Sequence, residues 1–117
     1  VAGSTGRIGG VNVFGGGLAL YNSSHKLIGG LVVSGDSSCA DHNIAWRVRA
    51  LLGLDHMGAT AVLPAVGGVS GDAARPDNII YDITANPAGG TGNSAGGFGH
   101  PKCINTSDPT ALPAVTP

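Results

Sequence analysis

Apolar and polar positions alternate in very different ways along this chain, and only three stretches carry a clear pattern. Leu27 to Val33 is an uninterrupted apolar run, bounded by Lys26 and Ser34. Its length and its Ile and Val content predict a strand buried on both faces. Leu18 to Tyr21 is a second β-prone run, and Asn22-Ser23-Ser24-His25 between the two is turn chemistry. Together they predict a hairpin with a loop of about four or five residues. Gly29-Gly30 inside the second run predicts a bulge or a close approach by another element.

The period then changes. Ala40, Ile44, Val48, Leu51 and Leu52 recur at helical intervals and predict one apolar helix face. Ser37 or Ser38 suits the N-cap, and Asp41 complements the dipole in the first turn. Arg47 and Arg49 lie off the apolar face in the latter half, where cations suit the C-terminal end. Gly53 is a natural terminator, and Leu54 supplies the hydrophobic contact that follows one. Trp46 also lies off the stripe. It reads as packing against another layer or a neighbouring subunit, with ligand stacking as the alternative.

The chain therefore divides into a Gly-rich arm (residues 1–10), a hairpin–helix unit (residues 11–54) and a loop-rich extension (residues 55–117). Val11 and Val13 predict a short strand after the arm, and Asn78 to Ile83 another in the extension. The segment from Pro109 to Pro117 is expected to be extended. The fold class is α+β, with an antiparallel sheet and a packed helix. One hairpin, one helix and one further strand make a thin core for a two-layer domain. The fold is expected to be completed by other polypeptide, either a missing N-terminal half or neighbouring copies in a homo-oligomer.

Composition sharpens this picture. The 117 residues include 21 glycines, only 11% are charged, and the net charge is -1. Such a balance argues against an electrostatic nucleic-acid or membrane surface. No apolar run reaches the ~20 residues that span a bilayer. All the acidic residues are Asp, which fits a chain with little helix. The first residue is Val, and no basic and apolar leader is visible, so the chain reads as a processed product or a piece of a longer polypeptide.

Cys39 and Cys103 allow one disulfide. Asn22-Ser23-Ser24 and Asn105-Thr106-Ser107 match the glycosylation sequon, making Asn22 and Asn105 candidate glycan sites. The even Cys count, the low charge and the sequons point to a secreted, extracellular or periplasmic protein. A Cys39–Cys103 bridge is the favoured reading, worth about 3–4 kcal/mol by the chain-entropy model. The alternative is a tetrahedral zinc site, because Cys39 with His42 and His100 with Cys103 form two chelating pairs.

Other chemistry is sparse. His42 and His56 are candidate axial ligands for haem iron, as neutral imidazoles. The absence of C-x-x-C-H excludes covalent c-type attachment by motif. His25 falls in the predicted turn and reads as solvated. No phosphate loop or nucleophile elbow is present, and no spacing marks a catalytic triad. Ser34 to Ser38 presents backbone N–H groups at a helix N-terminus, a feature every helix shares.

The hairpin–helix segment resembles the GlcG/HbpS-like haem-binding family. The residues that carry the likeness are Gly15 to Tyr21, Lys26 to Gly35, and Asp36 through Arg49. Members show a glycine pair leading through a proline into a strand, then a strand ending in Val-Ser-Gly and a helix with an early acidic residue. Here Ala19 stands where proline is usual, and Val33-Ser34-Gly35 matches the strand ending. The likeness covers about a third of the chain and the C-terminal half of the family's domain. It implies a profilin-like α/β/α sandwich, binding of haem or a related cofactor, and assembly into higher oligomers. The region around Asn78 to Asp82 and Gly99 to Cys103 looks like an extension found in secreted relatives. The family's ligands lie partly outside the matched segment, and a chain without Glu lacks a Glu-rich iron motif. The resulting expectation is a secreted haem-binding module. An extracellular structural subunit that self-assembles into an oligomer or filament is the alternative, and an enzyme is the weakest reading.

Overall fold

The computed structural model describes residues 16–90, 92–103 and 108–117. The Gly-rich arm, the strand expected at Val11 and Val13, and the sequon at Asn105 lie outside the described residues.

Strands β1 (Gly16–Tyr21) and β2 (Leu27–Val33) form the antiparallel hairpin. Its loop, residues 22–26, has the expected length. Asn22 organises it: the side-chain oxygen accepts from the backbone N–H groups of Ser24 and Lys26, at 3.0 and 3.1 Å. His25 takes a left-handed conformation there, at φ 60°. Leu18 pairs with Leu31 and Gly16 with Val33, so these residues share one face. The register shifts between Leu20 and Tyr21, where Tyr21 pairs with Leu27 and leaves Ile28 as the extra residue. The irregularity thus falls beside Gly29. Among the described residues nothing crowds the glycine pair: a Cβ on Gly29 would meet open space, and one on Gly30 only the Leu18 carbonyl oxygen of the paired strand at 3.8 Å.

Helix α1 (Ser38–Leu52) packs on this hairpin. Ser37 is the N-cap, and its Oγ accepts from the Ala40 N–H at 3.3 Å. Gly53 ends the helix in the left-handed region, at φ 67°. Its N–H donates to Ala50 O and that of Leu54 to Arg49 O, which is the Schellman pattern. At Gly16, helix and strand approach so closely that a Cβ would collide with the backbone carbonyl of Asp41.

The face that α1 buries is not the aliphatic one. Ser38, Cys39, Asp41, His42, Ala45, Trp46 and Arg49 are buried, whereas Ile44, Leu51 and Leu52 are exposed. Strand β2 likewise departs from the expected double burial. Leu31 and Val33 pack against the core, but Leu27 is 64% and Val32 73% exposed. The reason lies in the loop-rich extension, which supplies a layer of its own on the polar and aromatic side of the helix. Met57, Leu112 and Val115 from the extension join Leu18, Ala45 and Trp46 in one cluster. Backbone bonds rather than long strands hold that layer together. Met57 and Gly58 donate to Thr116 O, Val115 to Ala74 O, and Tyr21 to Leu54 O.

Two short strands, β3 (Ile83–Thr84) and β4 (Asn93–Ser94), form a second hairpin. The strand expected over Asn78 to Ile83 is therefore limited to its last residue, because the preceding backbone serves other partners. A 3-10 turn over Pro109–Ala111 follows the described gap, and Leu112 beyond it enters the core. Among the described residues, no helix is long and apolar enough to cross a membrane.

Candidate functional site

The first two turns of α1 and the segment from Asp77 to Cys103 meet in the most chemically diverse region of the molecule. Cys39 and Cys103 are joined by a disulfide, with Cα atoms 6.1 Å apart. The favoured pairing is thus present, and it fastens the extension to the buried beginning of the helix. The bridge occupies both sulfurs, so no thiolate is on hand for the four-residue zinc set.

One turn on, His42 lies inside the protein. Its Nε2 is 3.0 Å from Asn78 Oδ1, and the Ile79 N–H also approaches it at 3.3 Å. These contacts demand opposite protonation of Nε2. Asn78 settles the matter: its Nδ2 donates to Pro109 O at 2.9 Å, which fixes Oδ1 towards the imidazole. The Ile79 N–H has its shorter bond, 2.9 Å, to the same Oδ1. Nε2 therefore carries the proton and donates it to Asn78. Burial pushes the His42 pKa below its ordinary value of 6.5, against the opposing hydrogen bond to Asn78 and the nearby charge of Asp77.

Trp46 follows one turn later, its ring centroid 5.7 Å from that of His42. It is a core residue, and its indole N–H donates to Pro113 O at 2.9 Å. Arg49 completes the row. Its guanidinium sits over the Trp46 ring at 4.6 Å and pairs two-pronged with Asp77, at 2.7 and 2.9 Å, while Nη1 also donates to Ala19 O. His56 stands apart, bridged to Thr116 and with Nδ1 2.8 Å from Pro117 O. Of the three residues expected to hold a cofactor, His42 and Trp46 are neighbours within the interior, and His56 belongs to the layer around the C-terminal residues.

Among the described residues, His100 lines a cleft. Asp82 builds the turn that presents it. The Asp82 carboxylate accepts from Ser94 Oγ at 2.6 Å and from the Gly96 N–H at 2.8 Å. These two bonds, the Ser94 one foremost, hold its pKa below the usual carboxylate value. Ser94 Oγ accepts in turn from the Gly97 and Gly99 N–H groups. At position 99 a Cβ would meet the side chains of Asp82, Ser94 and Ile83, which would have to give way. The next residue is anchored by its own N–H, which donates to Ile80 O at 2.7 Å.

His100 Nδ1 lies 2.6 Å from Pro101 O. A carbonyl can only accept, so Nδ1 carries a proton, and in the neutral form of the ring the lone pair is on Nε2. Tyr81 meets the ring edge-on at 6.5 Å, and burial raises the Tyr81 pKa above its ordinary value of 10.0. His100-Pro101-Lys102 lines a cleft of 410 Å³ together with Tyr81, Ile83 and Asn86. The same three residues line a cavity of 400 Å³ beside Ser37, Ser38 and Cys103. This arrangement offers a neutral imidazole nitrogen, an aromatic and aliphatic wall, and an ammonium group from Lys102.

Sequence reasoning gave His100 a chemical role only among zinc ligands, gave Asn78 and Asp82 only a place in an expected strand and extension, and did not single out Asp77. The signal available for Asp77 was an arginine at i+3 from a tryptophan on the helix, which needs an acid when buried. Nothing in the spacing linked Asp82 to Ser94. Asn22, the candidate glycan site within the described residues, lies in the β1–β2 loop with its side-chain oxygen engaged as described. No family model matches the chain, and neither a curated protein nor a solved structure matches it.

Proposed function

We propose that this chain is a secreted or periplasmic binding module of the GlcG/HbpS-like type, and that the cleft beside His100 takes haem or a related planar cofactor. The observation that carries this reading is the His100 contact with Pro101 O, which holds a proton on Nδ1 and so places the lone pair of the neutral ring on Nε2. Neutral imidazole is a common axial ligand of haem iron. The rest of the lining fits the same group. Tyr81 and Ile83 suit the macrocycle, and the Lys102 ammonium suits its propionates. A cleft of 410 Å³ is within the usual ligand-pocket range of ~300–1,000 Å³. The disulfide accords with an oxidising compartment. When bound, the cofactor would supply iron chemistry; the chain's part is to bind and orient it.

Hemin titration followed by absorbance tests this. A Soret shift saturating near one equivalent is expected, lost in His100→Ala and retained in His56→Ala. No shift at stoichiometric hemin sinks the reading for this chain.

This reading carries the finer architecture with it. In a profilin-like sandwich β1, β2 and α1 would form one half, and further polypeptide would cover the exposed side chains of β2 and α1. A second reading, a self-assembling extracellular subunit, is favoured by those same side chains: Leu27, Val32, Ile44 and Leu51 are apolar and exposed. Light scattering across a concentration series discriminates. Growth into oligomers or filaments without any cofactor supports the subunit, and a concentration-independent monomer removes it.

A further inference from the structure

We propose that Cys39, Cys103 and His100 form a zinc-binding site that the disulfide masks and reduction opens. Both sulfurs and a ring nitrogen of His100 lie within 4.8 Å of one another. Tetrahedral zinc, with bonds of about 2.3 Å to sulfur and 2.0 Å to nitrogen, sets its donors roughly 3.4–3.8 Å apart. The three side chains are thus gathered on the scale the ion needs. Small side-chain rotations after cleavage of the S–S bond bring the sulfurs to that spacing, without moving Cα atoms that are 6.1 Å apart.

Three further features point the same way. Metal-ligating histidines characteristically donate their second nitrogen to a carbonyl or carboxylate, which orients the ring. His100 already does so, through Nδ1 to Pro101 O. Cys39 is in the first turn of α1, where the positive end of the helix dipole favours a negatively charged sulfur. The 400 Å³ cavity bordered by Ser37, Ser38, His100 and Cys103 gives an ion a way in and leaves room for a water as fourth ligand. His42, by contrast, is not in this group of mutually close donor atoms.

A phosphine takes one oxygen from water and leaves as phosphine oxide, while the two sulfurs gain two electrons and two protons and become thiols. A dithiol does the same and leaves as its own disulfide. The zinc ion then displaces both thiol protons to solvent, and neutral His100 adds its lone pair with no proton released. The covalent fastening between α1 and the extension is exchanged for a metal one. This site and the haem cleft draw on the same His100 ring, so the metal titration is run without hemin and the two readings fail separately.

Cobalt(II) is the probe, because thiolate coordination gives it visible charge-transfer and d–d bands. The full chain is titrated oxidised, and again after reduction with a water-soluble phosphine. The oxidised protein is expected to show no bands. The reduced protein should show tetrahedral bands saturating at one equivalent and abolished by zinc. His100→Ala should weaken cobalt binding by at least about tenfold, and His25→Ala should not. Absence of bands in the reduced protein overturns the proposal, as does unchanged affinity in His100→Ala. Near-UV circular dichroism of Trp46 guards against capture by an unfolded chain. If that signal is lost on reduction and cobalt binds no better than in urea, the folded site does not exist.

Discussion

Arg49 and Asp77 form a two-pronged ion pair in which the guanidinium is wholly enclosed, at 0% side-chain exposure, and the carboxylate is 27% exposed. Nη1 reaches one carboxylate oxygen at 2.7 Å and Nη2 the other at 2.9 Å. The pair ties α1 to the extension, and the Ala19 carbonyl adds β1 to the same cation. Removing one partner of such a pair leaves an uncompensated charge inside and costs about 3–5 kcal/mol. Asp77→Ala is expected near the lower end, because water can reach part of the vacated site. Arg49→Lys should also destabilise strongly, since an ammonium cannot make both prongs or lie flat over Trp46. Urea midpoints at constant slope measure both. A loss below about 1 kcal/mol in Asp77→Ala, the range of surface pairs, would overturn this account.

The same pair explains how far the sequence could be read. The hairpin, its loop, the helix and both helix caps follow from local spacing and residue chemistry, and all of them are present. The buried face of α1 did not follow. Counting aliphatic positions selects Ala40, Ile44, Val48 and Leu51. The interior instead takes His42, Trp46 and Arg49, because each finds a polar partner in the extension: Asn78, Pro113 O and Asp77. Those partners sit in segments without periodicity, so their role as a packing layer leaves no pattern to detect. Met57, Leu112 and Val115 are isolated apolar residues among Gly, Pro and Ala, and only the folded chain brings them to one cluster. The disulfide was legible because two cysteines allow one pairing. The His100 cleft was not, since it depends on the Asp82–Ser94 turn.

The bridge between Cys39 and Cys103 closes a sequence separation of 64 residues. By the chain-entropy model a loop of this size contributes about 4 kcal/mol. Cys39→Ala with Cys103→Ala, or reduction in the absence of metal, should lower the thermal midpoint by well over ten degrees, at ~4–8 °C per kcal/mol for a chain of this size. Scanning calorimetry with and without reductant provides the comparison. An unchanged midpoint would mean that the extension is held by its other contacts alone.

Gly16 marks the point where β1 and α1 touch. Gly16→Ala places a methyl group against the Asp41 backbone, which no side-chain rotation can relieve. Helix or strand must shift, at a cost of about 1–3 kcal/mol or more. Gly29→Ala is the control, because its Cβ meets open space. That change should be neutral, or stabilising by up to about 1 kcal/mol through the unfolded chain. Denaturant unfolding of the two variants side by side decides the point, and equal effects would count against the close approach.

His42 gives stability a pH dependence of defined sign. Burial lowers its folded pKa below 6.5, so between that lowered value and 6.5 the unfolded chain binds more protons than the folded one. The contribution is therefore fully present above pH 6.5 and is lost as pH falls through the lowered folded pKa. The Asp72, Asp82 and Asp108 carboxylates, held low chiefly by hydrogen bonds from Arg75, Ser94 and Thr110, act in a separate window below 3.8. Urea midpoints at about pH 7.5 and 5.5 isolate the histidine. The wild-type chain should be less stable at the lower pH. His42→Gln, which can still donate to Asn78 but does not titrate, should lose most of that difference. An undiminished difference in His42→Gln would assign the effect to another group.

Leu51 is 87% exposed on the same outer side of α1 as Ile44. Among the described residues little packs on it, so Leu51→Lys should change folding stability by less than about 0.5 kcal/mol. If the stripe is where further polypeptide docks, the charge should act on association alone. Sedimentation or light scattering over a concentration series should show self-association of the wild-type chain that Leu51→Lys, alone or with Ile44→Lys, reduces. Trp46→Ala supplies the opposite signature. It removes a core ring, the bond to Pro113 O and the surface under Arg49, and should cost about 3–5 kcal/mol. The pair of variants thus separates a face that holds the fold together from one that is open to a partner. A large stability loss in Leu51→Lys would place the outer stripe inside the fold and refute the division of α1 into these two faces.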